Sequence, residues 1–388
     1  MKVLMLAPGE STHSIKQLKL LLNENDIEVI YLDSTDPLPG GGNKYKYIYL
    51  PLFRRKRLLS KLFGYEFLYD IECIILKTYL QKIIKRYIPD IIHVHCIDER
   101  ILYLKKAGAK PIITSVWGTD INQHFSPDSN PYLKELKGKC LAAADFIIVD
   151  SGMMDKKCEI LARRPLRHIN IPIGIDTDLF KPGYESEVLK LKEQLKIDND
   201  FKIILSARGW RSYYNQESIL DAFAEVLKTF PKTILVLKLH NHQTVRILVN
   251  KIKDKINKLN INDNVRWLED LPLENLPIVY NMSDIIVNYP SMDTLPITFM
   301  EAAACCKPVV SCKLPTYEGT FAEKYFTLVD GHDISDFAEA INTSISQSST
   351  SSLNTLYKAR EFIIKNYEQK LYISKLLNIY KQMIIENT

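Results

Sequence analysis

Two acidic residues separated by seven others are the feature of this 388-residue sequence that most clearly suggests chemistry. Asp293 and Glu301 are followed by a run of small residues and a Pro-led β-type segment. A helix over 298–305 would place Glu301 in its first turn, where backbone amides can meet an anionic or hydroxylated ligand. One carboxylate would then accept hydrogen bonds from ribose hydroxyls while the other holds a sugar. The alternative is a turn residue followed by an acid that only complements the helix dipole.

Arg208 is the basic residue best placed to bind phosphate. It follows a β-type run at 201–206 and precedes a helical pattern at 218–229. A guanidinium group can hold two phosphate oxygens while negative charge develops on a leaving group. Arg211 could add a second positive charge. The alternative is a pair of surface arginines after a strand.

Further candidate residues belong to the first half of the chain. Trp117-Gly118-Thr119-Asp120 closes a β-type run. Tryptophan can stack on the face of a sugar but cannot carry a proton, so no imidazole chemistry is expected at that position. Asp120 could contact a second substrate or orient a cleft, or it could cap a helix. Three more candidates follow the first β-type run: Gly9, Glu10 and His13.

β-type runs alternate with helical patterns along the chain, which is typical of parallel βαβ units. We therefore predict two doubly wound, Rossmann-like α/β domains that face a central cleft. The pattern restarts after a turn-rich segment at 173–183, so the domain boundary is expected near residue 180. The β-type runs are 3–7, 27–32, 91–95, 111–116, 146–149, 201–206, 233–239, 265–268, 285–288 and 308–311.

In combination these motifs resemble the GT-B-fold glycosyltransferases, specifically the retaining family 4. The resemblance covers nearly the whole chain and depends on the order and spacing of the motifs. It implies an acceptor-binding domain at 1–180, a nucleotide-sugar-binding domain at 181–365, and a C-terminal helix at 366–388 that packs back on the first domain. Besides the two acids, the motifs are the N-terminal strand and loop, Trp117-Gly118-Thr119-Asp120, Ile173-Gly174-Ile175-Asp176 with Phe180, and Arg208 ahead of the Ala222-Phe223 helix.

The resemblance also implies a role for each matched residue. Glu301 would bind the nucleotide ribose, Asp293 the hydroxyls of the donor sugar, and Arg208 the leaving diphosphate. Two further donor contacts would come from Arg211 and Gly9. The loop after Asp293 would present backbone amides to the sugar and diphosphate through Thr294, Leu295, Pro296 and Thr298. The acceptor side of the cleft would be formed by Glu10, His13, Trp117 and Asp120.

The sequence departs from the family pattern at several positions. Asp293 stands where glutamate is more usual, and Tyr214 stands where a lysine commonly follows the arginine. Trp117 replaces a frequent histidine, and the first loop has a single glycine instead of two. The shorter acid alters the expected contact with the sugar, while Arg211 could supply the missing positive charge.

The composition of the sequence limits which metal sites, disulfides and cellular compartments are expected for the protein. Seven cysteines without a CxxC pair indicate neither a disulfide framework nor a zinc ribbon. His93 with His95, and His240 with His242, supply only two imidazoles each, so strand-end residues are expected instead of a metal site. The first apolar run is too short for a signal peptide, and no apolar run is long enough to span a bilayer. We expect a cytoplasmic protein without a metal or organic cofactor.

Positive charge is concentrated between residues 41 and 90. This segment holds eleven basic and four acidic residues, a net charge of +7, whereas the whole chain has +5. Bulky apolar residues are mixed with the basic ones, which suits the surface of an anionic membrane. Peripheral binding to the inner face of the membrane is therefore a second expectation. The alternatives are a solvated basic loop, or one that binds a soluble anionic acceptor.

The resemblance implies transfer of a sugar, expected to be a hexose, from a nucleotide-diphosphate donor with retention of configuration. The expected acceptor is a glycan or a lipid-linked glycan of bacterial-type surface polysaccharide synthesis. A nucleotide-sugar epimerase of the same fold would instead need acid and base residues in the cleft, for which Glu10, His13 and Asp120 are candidates. A nucleic-acid-binding protein has only the basic segment in its favour and lacks any recognition motif. We therefore expect no nucleic-acid partner.

Overall fold

The computed structural model describes residues 1–7, 11–33, 45–49, 65–97, 99–125, 129–239, 246–268, 271–347 and 350–387. The chain divides into two compact units. Unit 1 comprises Met1–Ile173 and Tyr372–Thr388, and unit 2 comprises Gly174–Leu371. In the described ranges, no helix combines the length and the apolar character needed to cross a bilayer.

Thirteen strands and fifteen α-helices are formed by the described residues. The strands are β1 (Lys2–Leu6), β2 (Glu28–Asp33), β3 (Lys46–Tyr49), β4 (Ile91–His95), β5 (Ile112–Ser115), β6 (Phe146–Val149), β7 (His168–Asn170), β8 (Lys202–Ser206), β9 (Thr233–Lys238), β10 (Val265–Leu268), β11 (Ile285–Asn288), β12 (Val309–Cys312) and β13 (Thr327–Val329). The helices are α1 (Thr12–Leu22), α2 (Tyr65–Tyr87), α3 (Arg100–Lys106), α4 (Thr119–Asn122), α5 (Pro131–Ala143), α6 (Gly152–Ala162), α7 (Glu185–Gln194), α8 (Gln216–Thr229), α9 (Arg246–Leu259), α10 (Leu276–Met282), α11 (Ile297–Ala304), α12 (Phe321–Tyr325), α13 (Ile334–Ser346), α14 (Thr350–Tyr367) and α15 (Gln369–Ile385).

Unit 1 is built on a parallel sheet with the strand order β3-β2-β1-β4-β5-β6-β7 over its described residues. The central strands are apolar on both faces because helices cover both sides of such a sheet. Leu4 and Leu6 of β1, for example, are fully buried in the same cluster as Ile92 and Val94 of β4. Strand order reverses direction between β1 and β4, so polar residues after these strands meet at one edge.

Unit 2 repeats this plan with the strand order β10-β9-β8-β11-β12-β13 over its described residues. Successive side chains of a strand point to opposite faces, and here each face has its own core. Ile203 and Leu205 pack into one cluster, whereas Ile204 packs into the other. The carboxyl ends of β8, β11 and β12 are neighbours, which fixes where the segments after them can place side chains.

The predicted α/β class with a doubly wound parallel sheet in each of two units is confirmed, since both sheets are parallel and covered by helices. Every predicted β-type run forms a strand, but β3, β7 and β13 were not predicted. One correction concerns the end of the chain, where the C-terminal helix was expected to begin at residue 366 but begins at Gln369. The structure has two helices, and Glu368 between them forms a bridge with Ile175. An extended residue that pairs with another segment cannot continue a helix.

The chain passes from unit 1 to unit 2 after Ile173, seven residues before the predicted boundary at 180. The reason is local pairing. The Ile175 N–H donates to the Tyr367 carbonyl at 2.8 Å, and the Gln369 N–H donates to the Ile175 carbonyl at 2.9 Å. These bonds attach the turn-rich segment to unit 2. Helix α15 begins in unit 2, and its residues from Tyr372 onward belong to unit 1.

Candidate functional site

Three loops that follow adjacent strands of unit 2 bring the site together. Arg208 follows β8, Asp293 follows β11, and Tyr317 follows β12. The loop after β11 is tied to the turn after β8, because the Ser291 N–H donates to the Tyr213 carbonyl at 2.8 Å. The carboxyl ends of parallel strands lie at one edge of the sheet, so these residues meet although they are far apart in sequence.

A buried ion pair forms the centre of the site. Nη2 of Arg208 donates to Oδ2 of Asp293 at 2.7 Å, and the two side chains are only 12% and 9% exposed. The same nitrogen also donates to the hydroxyl of Tyr214. The guanidinium carbon lies 4.1 Å from the centre of the Tyr214 ring. Nε of Arg208 is buried and has no hydrogen-bond partner among the described residues, so that side of the group remains available for an anion.

Burial and charge pairing act against each other in this pair. Burial raises the pKa of Asp293, and the neighbouring charge of Arg208 offsets only part of that rise. Burial alone would lower the pKa of Arg208, but the Asp293 carboxylate reverses this, and the pKa is raised. Each charge thus favours the charged form of its partner and opposes the effect of burial on it.

Glu301 lies nearby in the interior of unit 2. Its Oε2 accepts a hydrogen bond of 2.6 Å from the hydroxyl of Tyr280, and its exposure is 7%. Burial and the Glu301 carboxylate raise the pKa of Tyr280, whereas the charge of Arg208 acts in the opposite direction. Tyr280 is therefore within electrostatic reach of both predicted site residues. Each oxygen of a carboxylate can accept more than one hydrogen bond, so Glu301 retains acceptor capacity for a hydroxyl group.

The predicted placement of Glu301 in the first helical turn is wrong. Helix α11 begins at Ile297, one residue earlier than expected, so Glu301 is its fifth residue and the first turn contains no acid. Pro296 precedes the helix and has no amide hydrogen to cap it with. The carboxylate thus contacts the Tyr280 hydroxyl and lies beyond the first turn of the helix.

The loop between the two acids is held from both sides. Oδ1 of Asp293 accepts from the Thr294 N–H at 3.0 Å, and the Thr316 hydroxyl donates to the Asp293 carbonyl at 3.0 Å. Thr294 and Leu295 are buried. The hydroxyl of Thr298 is buried without a hydrogen-bond partner in the described part of the chain. The loop is therefore fixed, and the first turn of α11 after it carries a buried hydroxyl without a partner among the described residues.

Arg211 is not part of this buried cluster. It is exposed and precedes the short turn Ser212–Tyr214. Tyr214 occupies the position where lysine is usual in the family, and its ring and hydroxyl both contact Arg208. The second positive charge of the family pattern is thus replaced by a neutral phenol.

Three of the predicted acceptor-side residues, His13, Trp117 and Asp120, follow strands of the unit 1 sheet at its carboxyl edge. The rings of His13 and Trp117 stack with centroids 4.8 Å apart and planes 6° from parallel. One face of the indole is therefore covered by an imidazole. His95 tilts against the same indole at 5.6 Å. Gly9 and Glu10 lie outside the described residues.

Asp120 connects two strand ends. Its Oδ2 accepts from the Ile97 N–H at 3.2 Å, and its Oδ1 accepts from the Trp117 N–H at 3.1 Å. Burial raises its pKa, and the two backbone hydrogen bonds oppose that rise. The residue lies in the first turn of α4 and holds the loop that carries Trp117.

The histidines expected at strand ends have hydrogen-bond partners within unit 1. His93 contacts Tyr380 at 2.6 Å and Ser115 at 2.8 Å, and His95 contacts Ser14 at 3.1 Å. In the part of the chain that the structure describes, no three side chains gather as metal ligands. The second predicted pair, His240 and His242, lies outside it.

Sequence reasoning did not identify Tyr280, Asn288 or Tyr317 as members of the site. Tyr280 lies in α10 and Asn288 ends β11, so each looks like an ordinary core or turn residue in the sequence. Their common location depends on β11 lying between β8 and β12. A polar residue at the end of an otherwise apolar strand was the signal that could have indicated Asn288.

Comparison with protein families matches both halves of the chain. Residues 188–366 match the model described as Glycosyl transferases group 1, and residues 2–151 match Glycosyl transferase 4-like. D-inositol 3-phosphate glycosyltransferase of Corynebacterium jeikeium is 28% identical over 44% of this chain and 42% of that protein. Alpha-monoglucosyldiacylglycerol synthase of Streptococcus pneumoniae is 27% identical over 40% and 35%. The chain thus spans less than half the length of these curated relatives.

Solved structures share the fold over the full length. A glycosyltransferase from Rickettsia africae has a TM-score of 0.79 at 17% identity and covers 100% of this chain and 99% of its own. Anabaena Alr3699/HepE in complex with UDP has a TM-score of 0.76 at 15% identity and covers 98% and 100%. At these identities the similarity concerns the two-domain fold.

Proposed function

We propose that this chain, whose second half matches the group 1 glycosyl transferases and whose first half matches the glycosyl transferase 4-like model, is a GT-B glycosyltransferase that transfers a sugar from a nucleoside diphosphate donor to an acceptor hydroxyl. The observation that carries the proposal is the buried Arg208–Asp293 pair beside Glu301 and Tyr280. A guanidinium with a free edge suits a diphosphate, and two carboxylates suit the hydroxyls of a nucleoside and a sugar.

In the proposed donor complex, Arg208 binds the diphosphate through its Nε edge. Glu301 accepts hydrogen bonds from the ribose, and Asp293 accepts one from the donor sugar. UDP is a reasonable first donor nucleotide, because the similar Anabaena protein was solved with UDP and with UDP-glucose. The buried setting strengthens each of these contacts relative to water.

The proposed mechanism retains the configuration of the sugar, as in family 4. The bond between the anomeric carbon and the phosphate oxygen breaks while the acceptor oxygen attacks from the same face. The acceptor proton passes to the departing phosphate oxygen, so no protein base is required. Arg208 stabilises the negative charge that develops on the phosphate. Since this charge is carried by a side chain, we propose that no metal ion or organic cofactor takes part.

The acceptor is proposed to be a polar lipid or a glycan, and the role to be in surface glycan or glycolipid synthesis. The names of the relatives support this class, since one acts in glycosyl diacylglycerol synthesis and another on an inositol phosphate. A cytoplasmic protein with peripheral contact to an anionic membrane would meet such acceptors. Most of the basic residues proposed for that contact, Arg54 to Arg57 among them, lie outside the described residues.

A panel of nucleotide sugars tests the proposed function. Each donor is incubated with inositol phosphates, diacylglycerol glycosides or lipid-linked glycans, with and without EDTA. We expect release of nucleoside diphosphate that depends on an acceptor and is insensitive to EDTA. An altered sugar without transfer would indicate an epimerase, and no reaction with any donor would refute the proposal.

A further inference from the structure

We propose that Asn288 is a specificity-determining residue that hydrogen-bonds one hydroxyl of the transferred sugar. This inference rests on the proposed function and deepens it. Asn288 is the last residue of β11, at the middle of the edge where Arg208 and Tyr317 also lie. Its side chain therefore belongs to the candidate site by position, although no sequence motif includes it.

The first argument is an unsatisfied buried amide. Asn288 is 1% exposed, and neither its Nδ2 nor its Oδ1 has a hydrogen-bond partner among the described residues. Buried amides are normally paired, because burial without a partner is costly. Ser206, a buried polar residue of unit 2, follows that rule and donates to Gln216 at 2.9 Å. At Asn288 both polar atoms of the amide lack such a partner, so a ligand at this edge of the sheet could pair with the donor and the acceptor together.

The second argument is the direction of the amide. Asn288 lies close enough to Asp293 to favour the charged form of that carboxylate and to oppose the rise in pKa that burial causes, although the two groups do not form a complete hydrogen bond. The amide thus faces the acid that is proposed to bind the sugar. Three further buried polar atoms without partners in the described chain lie around the same edge: Nε of Arg208 and the hydroxyls of Tyr317 and Thr298.

The third argument is chemical complementarity. A hydroxyl group both donates and accepts a hydrogen bond, whereas an ionised carboxylate only accepts. Asp293 and Asn288 together provide an acceptor and a donor side by side, which suits a sugar hydroxyl. A site built to pair with a hydroxyl discriminates against an analogue that lacks it, since the buried groups are then left unpaired.

The experiment compares donor selectivity in the wild type and in Asn288→Leu. The probes are the best donor of the panel, with UDP-glucose tried first, and its mono-deoxy analogues. We expect the wild type to reject one deoxy analogue by at least about tenfold in kcat/KM and the variant to lose most of that discrimination. The affinity of the variant for the free nucleoside diphosphate, measured by calorimetry, should remain within about threefold of the wild-type value. This result would show that Asn288 contacts the sugar and not the nucleotide.

Asn342→Leu is the matched control. Its Oδ1 is also buried without a partner in the described residues, but it lies in the third turn of α13, away from the strand ends. The Asn342→Leu variant should keep the donor selectivity of the wild type. Asn288→Leu should also keep or raise the Tm, because leucine removes an unpaired amide, whereas a structural amide would lower it. Asn288→Ser provides the same readout if the leucine variant does not fold.

Two results would overturn the inference alone. One is an active Asn288→Leu enzyme with unchanged selectivity, as expected if a buried water satisfies the amide. The other is a loss of nucleoside diphosphate affinity, which would assign Asn288 to the nucleotide. A wild-type chain that turns over no nucleotide sugar would instead refute the proposed function, and this inference with it.

Discussion

Arg208 and Glu301 allow a direct test of the donor site at the scale of single residues. Arg208→Ala and Glu301→Gln should fold but lose about 100-fold or more in turnover, because each removes one preorganised contact to a charged or hydroxylated group. Initial rates with the best donor measure the loss, and circular dichroism measures folding. Glu225→Gln, an exposed acid of unit 2 that pairs with Lys228, is the control. Near-normal turnover in both folded site variants would contradict the assignment.

Asp293 is expected to compete with the ligand for Arg208. Asp293→Asn leaves a buried guanidinium without its counter-charge, which destabilises a protein by about 3–5 kcal/mol when a buried pair is broken. The Tm should therefore fall. A bound nucleoside diphosphate supplies the missing charge, so affinity should rise by about tenfold, equivalent to about 1.4 kcal/mol. Calorimetry with UDP and thermal melts with and without UDP check both parts. Weaker UDP binding in the variant would show that Asp293 is not a competitor.

The residues of the site were only partly predictable, for a physical reason. Spacing along the chain was enough to predict Arg208, Asp293 and Glu301 as site residues. Tyr280 and Asn288 join them only through the strand order β8-β11-β12. Hydrophobic periodicity predicts that a segment forms a strand, but it does not specify which strand lies beside it. Residues that come close to the site only because of an adjacent strand cannot be identified from a single sequence.

At the scale of elements, α15 is joined to the sheet of unit 1 through polar side chains. The Tyr372 hydroxyl donates to Oε1 of Gln17 at 2.5 Å, and the amide nitrogen of Gln17 lies 3.0 Å from Nδ1 of His93. The Tyr380 hydroxyl lies 2.6 Å from the same imidazole nitrogen. Because Gln17 donates to Nδ1, this nitrogen is the acceptor and Nε2 donates to Ser115. The network thus selects one neutral tautomer.

His93 should make the stability of the protein depend on pH. Burial lowers its pKa from 6.5 to about 3. Between these two values the unfolded chain binds a proton that the folded chain does not, so the stability that this group contributes is present above pH 6.5 and is lost as pH falls. The free energy of unfolding should decrease by about 1.4 kcal/mol per pH unit.

Urea unfolding between pH 4 and pH 7 checks this prediction. His93→Gln should reduce the slope by the contribution of about one proton. Tyr380→Phe is the control, since it removes a hydrogen bond worth about 1 kcal/mol without removing the titrating group. It should lower stability at every pH and keep the slope. A His93→Gln protein with the wild-type slope would contradict the prediction.

Substitution of Gly174 tests the backbone hydrogen bonds that attach the segment after Ile173 to unit 2. Its φ is +67°, and an added Cβ would lie 2.4 Å from the Tyr367 carbonyl oxygen. Gly331 has a similar φ of +75°, but a Cβ there would meet nothing within 4 Å. Both alanine variants carry the same backbone strain, whereas only Gly174→Ala adds a collision. It should therefore be less stable than Gly331→Ala by about 2 kcal/mol in urea unfolding. Equal stabilities would show that the segment can move away.

At the scale of the whole molecule, charge is unevenly distributed along the chain. The segment 41–90 alone has a net charge of +7, more than the +5 of the entire protein. Near an anionic surface each basic residue contributes about 1 kcal/mol, so four or five engaged side chains give reversible adsorption. Charge screening predicts that salt weakens such binding. Its dependence on salt therefore distinguishes the proposed membrane contact from hydrophobic insertion.

Liposome co-sedimentation of the full chain measures this contact. Binding should require anionic lipid, weaken with added salt, and fall strongly when Arg54, Arg55, Lys56 and Arg57 are all changed to Ser. The control replaces four exposed lysines of unit 2 with Ser, which removes the same charge elsewhere: Lys181, Lys190, Lys324 and Lys358. If charge alone mattered, both variants would lose binding equally, and the location of the basic segment would be irrelevant. If the segment binds the surface, only the first variant loses it. Equal sedimentation with neutral liposomes, or none with anionic ones, would exclude an electrostatic membrane contact.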